Sequence, residues 1–266
     1  VQIIFQQGRF QLTKRTRQRS ARASNTRSNF STPIKDNVVH LDQYQKTSQE
    51  APKKRRVTIT PKNINQEKLL TSLENPDIDI VFALGAAGTG KSMIATHIGI
   101  QQLQQGSVDK IIITRPAVSV DEQHGFLPGS LIEKMAPWVQ PILDYVQEYY
   151  SKKEVESMIE NGIIEVSPLS FMRGRTFKNA WIILDEAQNI TKSQMQMALT
   201  RIGEGSKIIV TGDLDQHDRG YENNGLLDFI TRLEANPNNK ISIIRFTKKD
   251  VERHPIIEDV LKLYSM

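Results

Sequence analysis

The stretch Ile80-Val81-Phe82-Ala83-Leu84-Gly85-Ala86-Ala87-Gly88-Thr89-Gly90-Lys91-Ser92 decides how the rest of the chain is read. Its first five residues are an unbroken apolar run of strand length, the pattern of a strand buried on both faces. Gly85–Ser92 then has the phosphate-loop spacing: a glycine, four residues, and Gly-Lys-Ser. Glycines at 85, 88 and 90 permit backbone angles that turn successive N–H groups toward phosphate oxygens. A helical pattern opens at Lys91, so its positive dipole end faces the same anion. The phosphate-binding set is therefore Gly85, Ala86, Ala87, Gly88, Thr89, Gly90, Lys91 and Ser92. Lys91 would reach the β- and γ-phosphates, and the Ser92 hydroxyl would ligate Mg2+.

Outward from this unit, apolar runs alternate with helical patterns, which predicts stacked βα units and a parallel sheet. Further strands are predicted at Ile111–Thr114, Ile163–Val166, Trp181–Leu184, Ile208–Thr211 and Ile241–Phe246. After the helix from about Lys91 to Gln105, helices are predicted near 131–150, 152–160, 191–202, 225–235 and 249–264. Pro137 and Pro141 should break or kink the first of these, and Asn161-Gly162 is a stop signal. No internal repeat is visible.

The second chemical signal is Trp181-Ile182-Ile183-Leu184-Asp185-Glu186, an apolar strand ending in two carboxylates. In a parallel sheet the carboxyl ends of neighbouring strands face the same crevice, which would set Asp185 beside the phosphate loop. Asp185 would then hold Mg2+ through its water shell, and Glu186 would polarise an attacking water. The bland alternative is an acidic pair at a helix N-terminus. Together the two signals point to hydrolysis of a nucleoside triphosphate.

Composition narrows the classes. The 266 residues contain no cysteine, which excludes disulfide frameworks, zinc knuckles and thiol catalysis. No run approaches the roughly 18 consecutive apolar residues of a membrane span, so a soluble protein with no membrane partner is expected. The formal charge of +5 is very unevenly placed. Residues 1–60 hold 13 Lys/Arg and 3 Asp/Glu, leaving 22 basic and 27 acidic residues in 61–266. The chain is thus expected to be a basic, disordered extension over 1–57 and a folded body over 58–266. Three meanings compete for the extension: a solvated tail that touches nucleic-acid phosphates, an organelle transit peptide, or a non-native start at Val1. Pro52-Lys53-Lys54-Arg55-Arg56-Val57 resembles a nuclear-import signal, a pattern that is usually just solvated.

Three further segments resemble superfamily 1 helicase motors. Asp185-Glu186-Ala187-Gln188 is similar to their second motif, which implies that Gln188 senses the γ-phosphate. Thr211-Gly212-Asp213-Leu214-Asp215-Gln216 resembles their Gly-Asp-x-x-Gln motif, which implies a second sensor at Gln216. Pro61-Lys62-Asn63-Ile64-Asn65-Gln66 resembles the adenine-reading Gln motif. The Gln66 amide can donate to and accept from the adenine edge together, which favours ATP.

The resemblance becomes specific over Phe171–Phe177, Trp181–Asn189 and Leu199–Gly203, with Thr114-Arg115-Pro116, Gly125–Gly129 and Arg253-His254-Pro255. These segments look like the PhoH family of ATPases, and the resemblance covers about residues 58–266. It departs at Ser92, where Thr is frequent, but the hydroxyl is kept; the basic extension is not part of the pattern. The resemblance implies a single RecA-like P-loop NTPase domain, ATP and Mg2+ as cofactors, and a phage or bacterial source. It also implies action on single-stranded nucleic acid, RNA before DNA, by a homo-oligomer of hexamer type.

About 205 residues supply one RecA-like core, whereas a superfamily 1 monomer closes its site between two. The arginine that neutralises transition-state charge would then come from a neighbouring subunit. Arg253 is the first choice, with Arg173 and Arg175 as alternatives, against the ordinary reading of surface arginines paired with acids. His97, His124, His217 and His254 lack metal-ligand spacing. Tyr149-Tyr150 and Trp138 fit either base stacking or packing on a helical face. Two functions stay open: an ATP-driven motor on single-stranded nucleic acid, and an ATP-dependent switch that does not translocate. A small-molecule kinase fits less well, because the Asp-Glu pair points to water as nucleophile.

Overall fold

The computed structural model describes residues 55–116, 131–216 and 224–252, with positions 256, 257, 260 and 263, and side chains from 138 onward in the second stretch. These residues fall within one compact unit, Ala51–Met266. Six strands form the sheet: β1 Ile80–Leu84, β2 Lys110–Arg115, β3 Ile164–Pro168, β4 Ala180–Leu184, β5 Lys207–Gly212 and β6 Ile241–Arg245. Their order across the sheet is β3-β2-β4-β5-β1-β6, and every pairing is parallel. The helices are α1 Ile64–Glu74, α2 Lys91–Gln105, α3 Leu131–Gln147, α4 Lys152–Glu160, α5 Lys192–Leu199 and α6 Gly225–Ala235. The α/β class with a parallel central sheet flanked by helices, expected for the body, is the class observed.

Parallel strands buried on both faces need apolar residues at every position, and alternate ones serve opposite cores. Val81, Ala83, Ile111, Ile113, Ile183 and Ile209 face one core, with Leu69 and Leu73 of α1, Ile94 and Ile98 of α2, and Ile142 and Val146 of α3. Phe82, Leu84, Ile112, Ile182, Leu184 and Val210 face the other, with Met195 of α5 and Leu226 and Ile230 of α6. Each fully buried aliphatic side chain contributes about 1.5–3 kcal/mol. The two layers therefore clamp the strands and fix which residues emerge at their carboxyl ends.

Three differences from the sequence reading matter. First, α3 runs without interruption through Pro137 and Pro141. Packing of Val139, Ile142, Leu143 and Val146 on the core outweighs the missing backbone donors, so of the expected break or kink the break does not occur. Second, α1 has no counterpart among the helices expected from the sequence. It begins at Asn63, whose side chain accepts from the Gln66 N–H at 2.9 Å, and it buries only Leu69, Leu73 and Gln66. Third, β4 is not the neighbour of β1: β5 stands between them.

The folded chain is already in place before residue 58. Val57 and Ile59 pack on the first core, and Arg55 donates to the Glu148 carbonyl at 3.3 Å. The extension expected over 1–57 otherwise lies outside the described residues, as does half of the helix expected over 249–264, of which positions 256, 257, 260 and 263 are helical. Lys248–Asp250 is a 3-10 turn. Among the described residues no helix is long and apolar enough to cross a membrane.

Candidate nucleotide site

The register of the sheet assembles the site. Thr114 of β2 pairs with Leu184 of β4, Leu184 with Val210 of β5, and Gly212 of β5 with Leu84 of β1. Arg115, Asp185 and Thr211 therefore lie level at one edge of the sheet, with the loop after β1 two strands from Asp185.

Gly85, Gly88 and Gly90 have φ of 133°, 84° and 85°, values that side chains rarely adopt. Gly85 is also crowded: a Cβ there would fall 2.4 Å from the Phe246 carbonyl oxygen. The loop is tied to the sheet by Gly85 N–H donating to the Gly212 carbonyl at 3.0 Å, and to the chain after β6 by Glu252 N–H donating to the Gly88 carbonyl at 2.8 Å. Gly90 caps α2 with no side-chain bond, so the helix start is open toward the loop.

Lys91 is buried, and its ammonium donates to the carbonyls of Gly85 at 2.6 Å and Ala86 at 2.7 Å and to Thr89 Oγ1 at 3.1 Å. Burial lowers its pKa, while the carboxylates of Asp213, Glu186 and Asp185 oppose that shift. Ser92 Oγ donates to Asp185 Oδ1 at 2.8 Å, and Thr211 Oγ1 donates to the same oxygen. The interposed β5 thus does not separate Asp185 from the loop; its Thr211 supports the carboxylate from the side.

Glu186 follows in the left-handed region, with φ of 55°, a strained setting for a residue with a side chain. Its Oε1 lies 3.5 Å from Arg115 Nη2, and its Oε2 accepts from Gln188 Nε2. Gln188 in turn accepts the Asp213 N–H at 3.2 Å through Oε1.

A crevice of about 180 Å³ runs between these groups. Gly85, Ala87, Gly88, Gly90, Lys91, Ser92, Asp185, Glu186 and Gln216 line it, all of them site residues from the sequence. Ala86 and Thr89 belong to the loop but direct their oxygens to Lys91. Gln188 lies behind Glu186 as its holder rather than in the lining. Gln66 reaches the loop from the far side: its Nε2 donates to the Thr89 carbonyl at 3.1 Å and its Oε1 accepts the Lys62 N–H at 2.8 Å. Arg253 lies outside the described residues, as do His124, His217, His254 and Gly125–Gly129. Arg175 is engaged by Glu165 in a two-pronged pair and stacks 4.5 Å over Phe177. Tyr150 is buried, and Tyr149 meets His97 edge-on at 5.2 Å, so both pack.

Tyr145, Thr211 and Asp213 also line the crevice, and the sequence reading gives them no role. Asp213 belongs to the Gly-Asp-x-x-Gln motif and follows a strand, which is a usable signal. Tyr145 lies among apolar helix residues and carries none. Two roomier cavities, about 570 Å³ near Lys207 and about 760 Å³ between α1 and β6, contain no part of the loop. Chemistry rather than volume marks the site.

Among the described residues no three His, Cys, Asp or Glu side chains are placed to hold a metal alone. The Ser92–Asp185 contact suits Mg2+, which takes few protein ligands and completes its shell with phosphate and water.

The PhoH family model, described as PhoH-like protein, matches residues 58–265. A PhoH-like protein of Bacillus subtilis is 41% identical over 210 residues, covering 78% of this chain and 64% of that protein. A PhoH-like protein of Mycobacterium tuberculosis is 41% identical over 213 residues, covering 80% and 59%. Protein PhoH of Escherichia coli is 40% identical over 211 residues, covering 78% and 58%. The chain spans about three-fifths of the length of these curated relatives. Among solved structures, the large terminase of a thermophilic bacteriophage in complex with ADP aligns with a TM-score of 0.48 at 12% identity, over 75% of this chain and 49% of that one.

Proposed function

Because the chain belongs to the PhoH family, as the match over residues 58–265 shows, we propose that its crevice binds ATP with Mg2+ and hydrolyses it. The observation that carries this reading is the Ser92 Oγ–Asp185 Oδ1 contact of 2.8 Å, which joins the phosphate loop to the acidic strand end. A hydroxyl and a carboxylate so placed can share one Mg2+, whose charge, when bound, would offset that of the phosphates. Lys91 would exchange its loop carbonyls for β- and γ-phosphate oxygens. Glu186 would accept a proton from water as the water oxygen bonds to the γ-phosphorus. The bond from that phosphorus to the bridging oxygen breaks, and ADP leaves with the electron pair. Gln216 would orient the water or the γ-phosphate, and Gln66, which also braces the loop at Thr89, would read the adenine edge.

The finer reading is an oligomeric motor on single-stranded nucleic acid, RNA first, in the cytoplasm of a bacterial or phage-infected cell. In this reading the charge-neutralising arginine comes from a neighbouring subunit, with Arg253 as candidate and a closed hexameric ring as the assembly.

ATPase assays with and without single-stranded RNA test both levels. Lys91→Ala should reduce turnover to background through loss of phosphate charge neutralisation; unchanged turnover would sink the site assignment. Stimulation of the intact protein by RNA supports the motor, whereas indifference to RNA and to single-stranded DNA favours the switch. Mixing Arg253→Ala with Glu186→Gln subunits should restore hydrolysis at shared sites. No recovery in the mixture removes Arg253 from the role.

A further inference from the structure

The hydrolytic reading gives Glu186 the water, and it leaves unexplained why a charged side chain from another strand is held against that carboxylate. Arg115 ends β2, on the side of β4 away from the phosphate loop. Its side chain is only 24% exposed, so the guanidinium has little freedom to be elsewhere. Nη2 lies at ion-pair distance from Glu186 Oε1, 3.5 Å, and Nη1 donates to the Trp138 carbonyl of α3 at 2.9 Å. Nε is buried without a hydrogen-bond partner. An arginine that leaves one buried donor unmatched gives up about 1–3 kcal/mol, so stability alone does not account for the placement.

The other half of the arrangement is Gln188, which donates to Oε2 while its own Oε1 accepts the Asp213 N–H. One carboxylate oxygen is thus held from β2 and the other from the turn after β4. Between them the Glu186 backbone is in the left-handed region, φ 55°, which needs support from outside the turn. A water-activating carboxylate loses much of its effect when its orientation wanders, because proton transfer depends on a near-linear, short approach.

We propose that Arg115 is a positioning residue for hydrolysis: it fixes the Glu186 carboxylate toward the attacking water and couples that carboxylate to helix α3 through the Trp138 carbonyl. The planar fork of arginine suits the task, since it reaches a carboxylate and a carbonyl at once in a fixed geometry, which a lysine cannot do. The inference rests on the assignment of Glu186 as the group that activates water.

The test is single-turnover ATP hydrolysis and binding of a non-hydrolysable ATP analogue for Arg115→Met, Arg115→Lys, Glu186→Gln and the Arg115→Met/Glu186→Gln double variant. Arg115→Met should lower the rate constant for hydrolysis at least about tenfold and leave analogue affinity within about twofold. Arg115→Lys should fall between it and the native protein. In the Glu186→Gln background, Arg115→Met should have no further effect, because the residue acts through a carboxylate already removed. A merely structural role would lower binding and hydrolysis together and would add to the Glu186→Gln loss, and either result overturns the proposal. Native hydrolysis by Arg115→Met also overturns it. If Arg115→Met does not fold, Arg115→Lys decides: reduced hydrolysis at native affinity supports the role, and native hydrolysis rejects it. Full activity of Glu186→Gln would show instead that the underlying assignment of the base is wrong.

Discussion

A buried lysine, Lys91, and a half-buried one, Lys207, stand at opposite ends of this sheet and are satisfied in nearly the same way. Lys91, after β1, donates to Gly85, Ala86 and Thr89 oxygens. Lys207, at the start of β5, donates to the carbonyls of Leu73 at 2.9 Å and Asn75 at 2.6 Å, with Ser72 at 3.5 Å. Burial lowers the pKa of both. The surroundings differ. Lys207 caps the negative end of α1, so helix and ammonium suit each other, and a single carboxylate, Asp79, acts on it. Lys91 lies at the positive end of α2, where a cation is unfavourable, and three carboxylates offset the misfit. One lysine completes a structure; the other is held in a charge pattern that an anion with a divalent cation would complete. Burial and a lowered pKa therefore do not identify the site by themselves, whereas opposed charges converging on a helix start do.

The most disruptive way to break this contrast is to change the loop that holds Lys91 without touching the lysine. In Gly85→Ala the new Cβ meets the Phe246 carbonyl, and φ of 133° is itself strained for alanine. A loss of about 3 kcal/mol in unfolding free energy is expected. Affinity for an ATP analogue should fall with it, because the end of β6 or the loop must move. Urea denaturation and equilibrium binding measure the two. A variant as stable as the native protein that binds normally would show that the loop does not need this geometry.

A smaller effect is expected from Thr211→Val, which keeps the shape and removes the hydroxyl from Asp185. A hydrogen bond to a charged group contributes about 2 kcal/mol, so stability should drop by that order. The Mg2+ concentration for half-maximal hydrolysis should rise, since the carboxylate is less firmly held. If both quantities stay at native values, Asp185 does not depend on β5, and the acidic side of the site is as local as the loop.

That dependence also separates what is legible in the sequence from what is not. Gly85–Ser92 can be read because its backbone geometry is set by its own glycines, and β1, β4 and β5 because unbroken apolar runs have few other homes. Asp185 can be placed near the loop, and Ser92 does reach it, but β5 stands between their strands and its Thr211 supports the same carboxylate, which no local pattern shows. Arg115 and Tyr145 reach the site only through strand order and the course of α3, and no local pattern encodes strand order. Helix α1 is hard to see in the sequence because Leu69, Leu70 and Leu73 make a weak stripe and its Asn63 cap lies inside the segment that resembles the Gln motif. Gln66 carries the adenine expectation; its contacts to Lys62 and Thr89 make it also a brace of the loop.

The mildest test lies at the other lysine and is read in pH rather than activity. Lys207 has its pKa lowered from 10.5 to about 8 by burial, with Asp79 opposing. In the unfolded chain the group is protonated up to about pH 10.4, so between about pH 8 and 10.4 the unfolded state binds the extra proton. Stability then rises with pH across that window and is flat with respect to this group below pH 8, where both states are charged. The side chain is partly exposed, so solvent screening makes the rise shallow. Lys207→Met removes the titration and should flatten the slope of unfolding free energy between pH 8 and 10.4, with ATP hydrolysis at neutral pH unchanged. Lys91 gives no such isolated signature, because the charges of Asp213, Glu186 and Asp185 all act on it. An equal slope in the native and Lys207→Met proteins would mean that the carbonyls at the end of α1 keep the ammonium charged, and the two lysines would then differ less than their surroundings suggest.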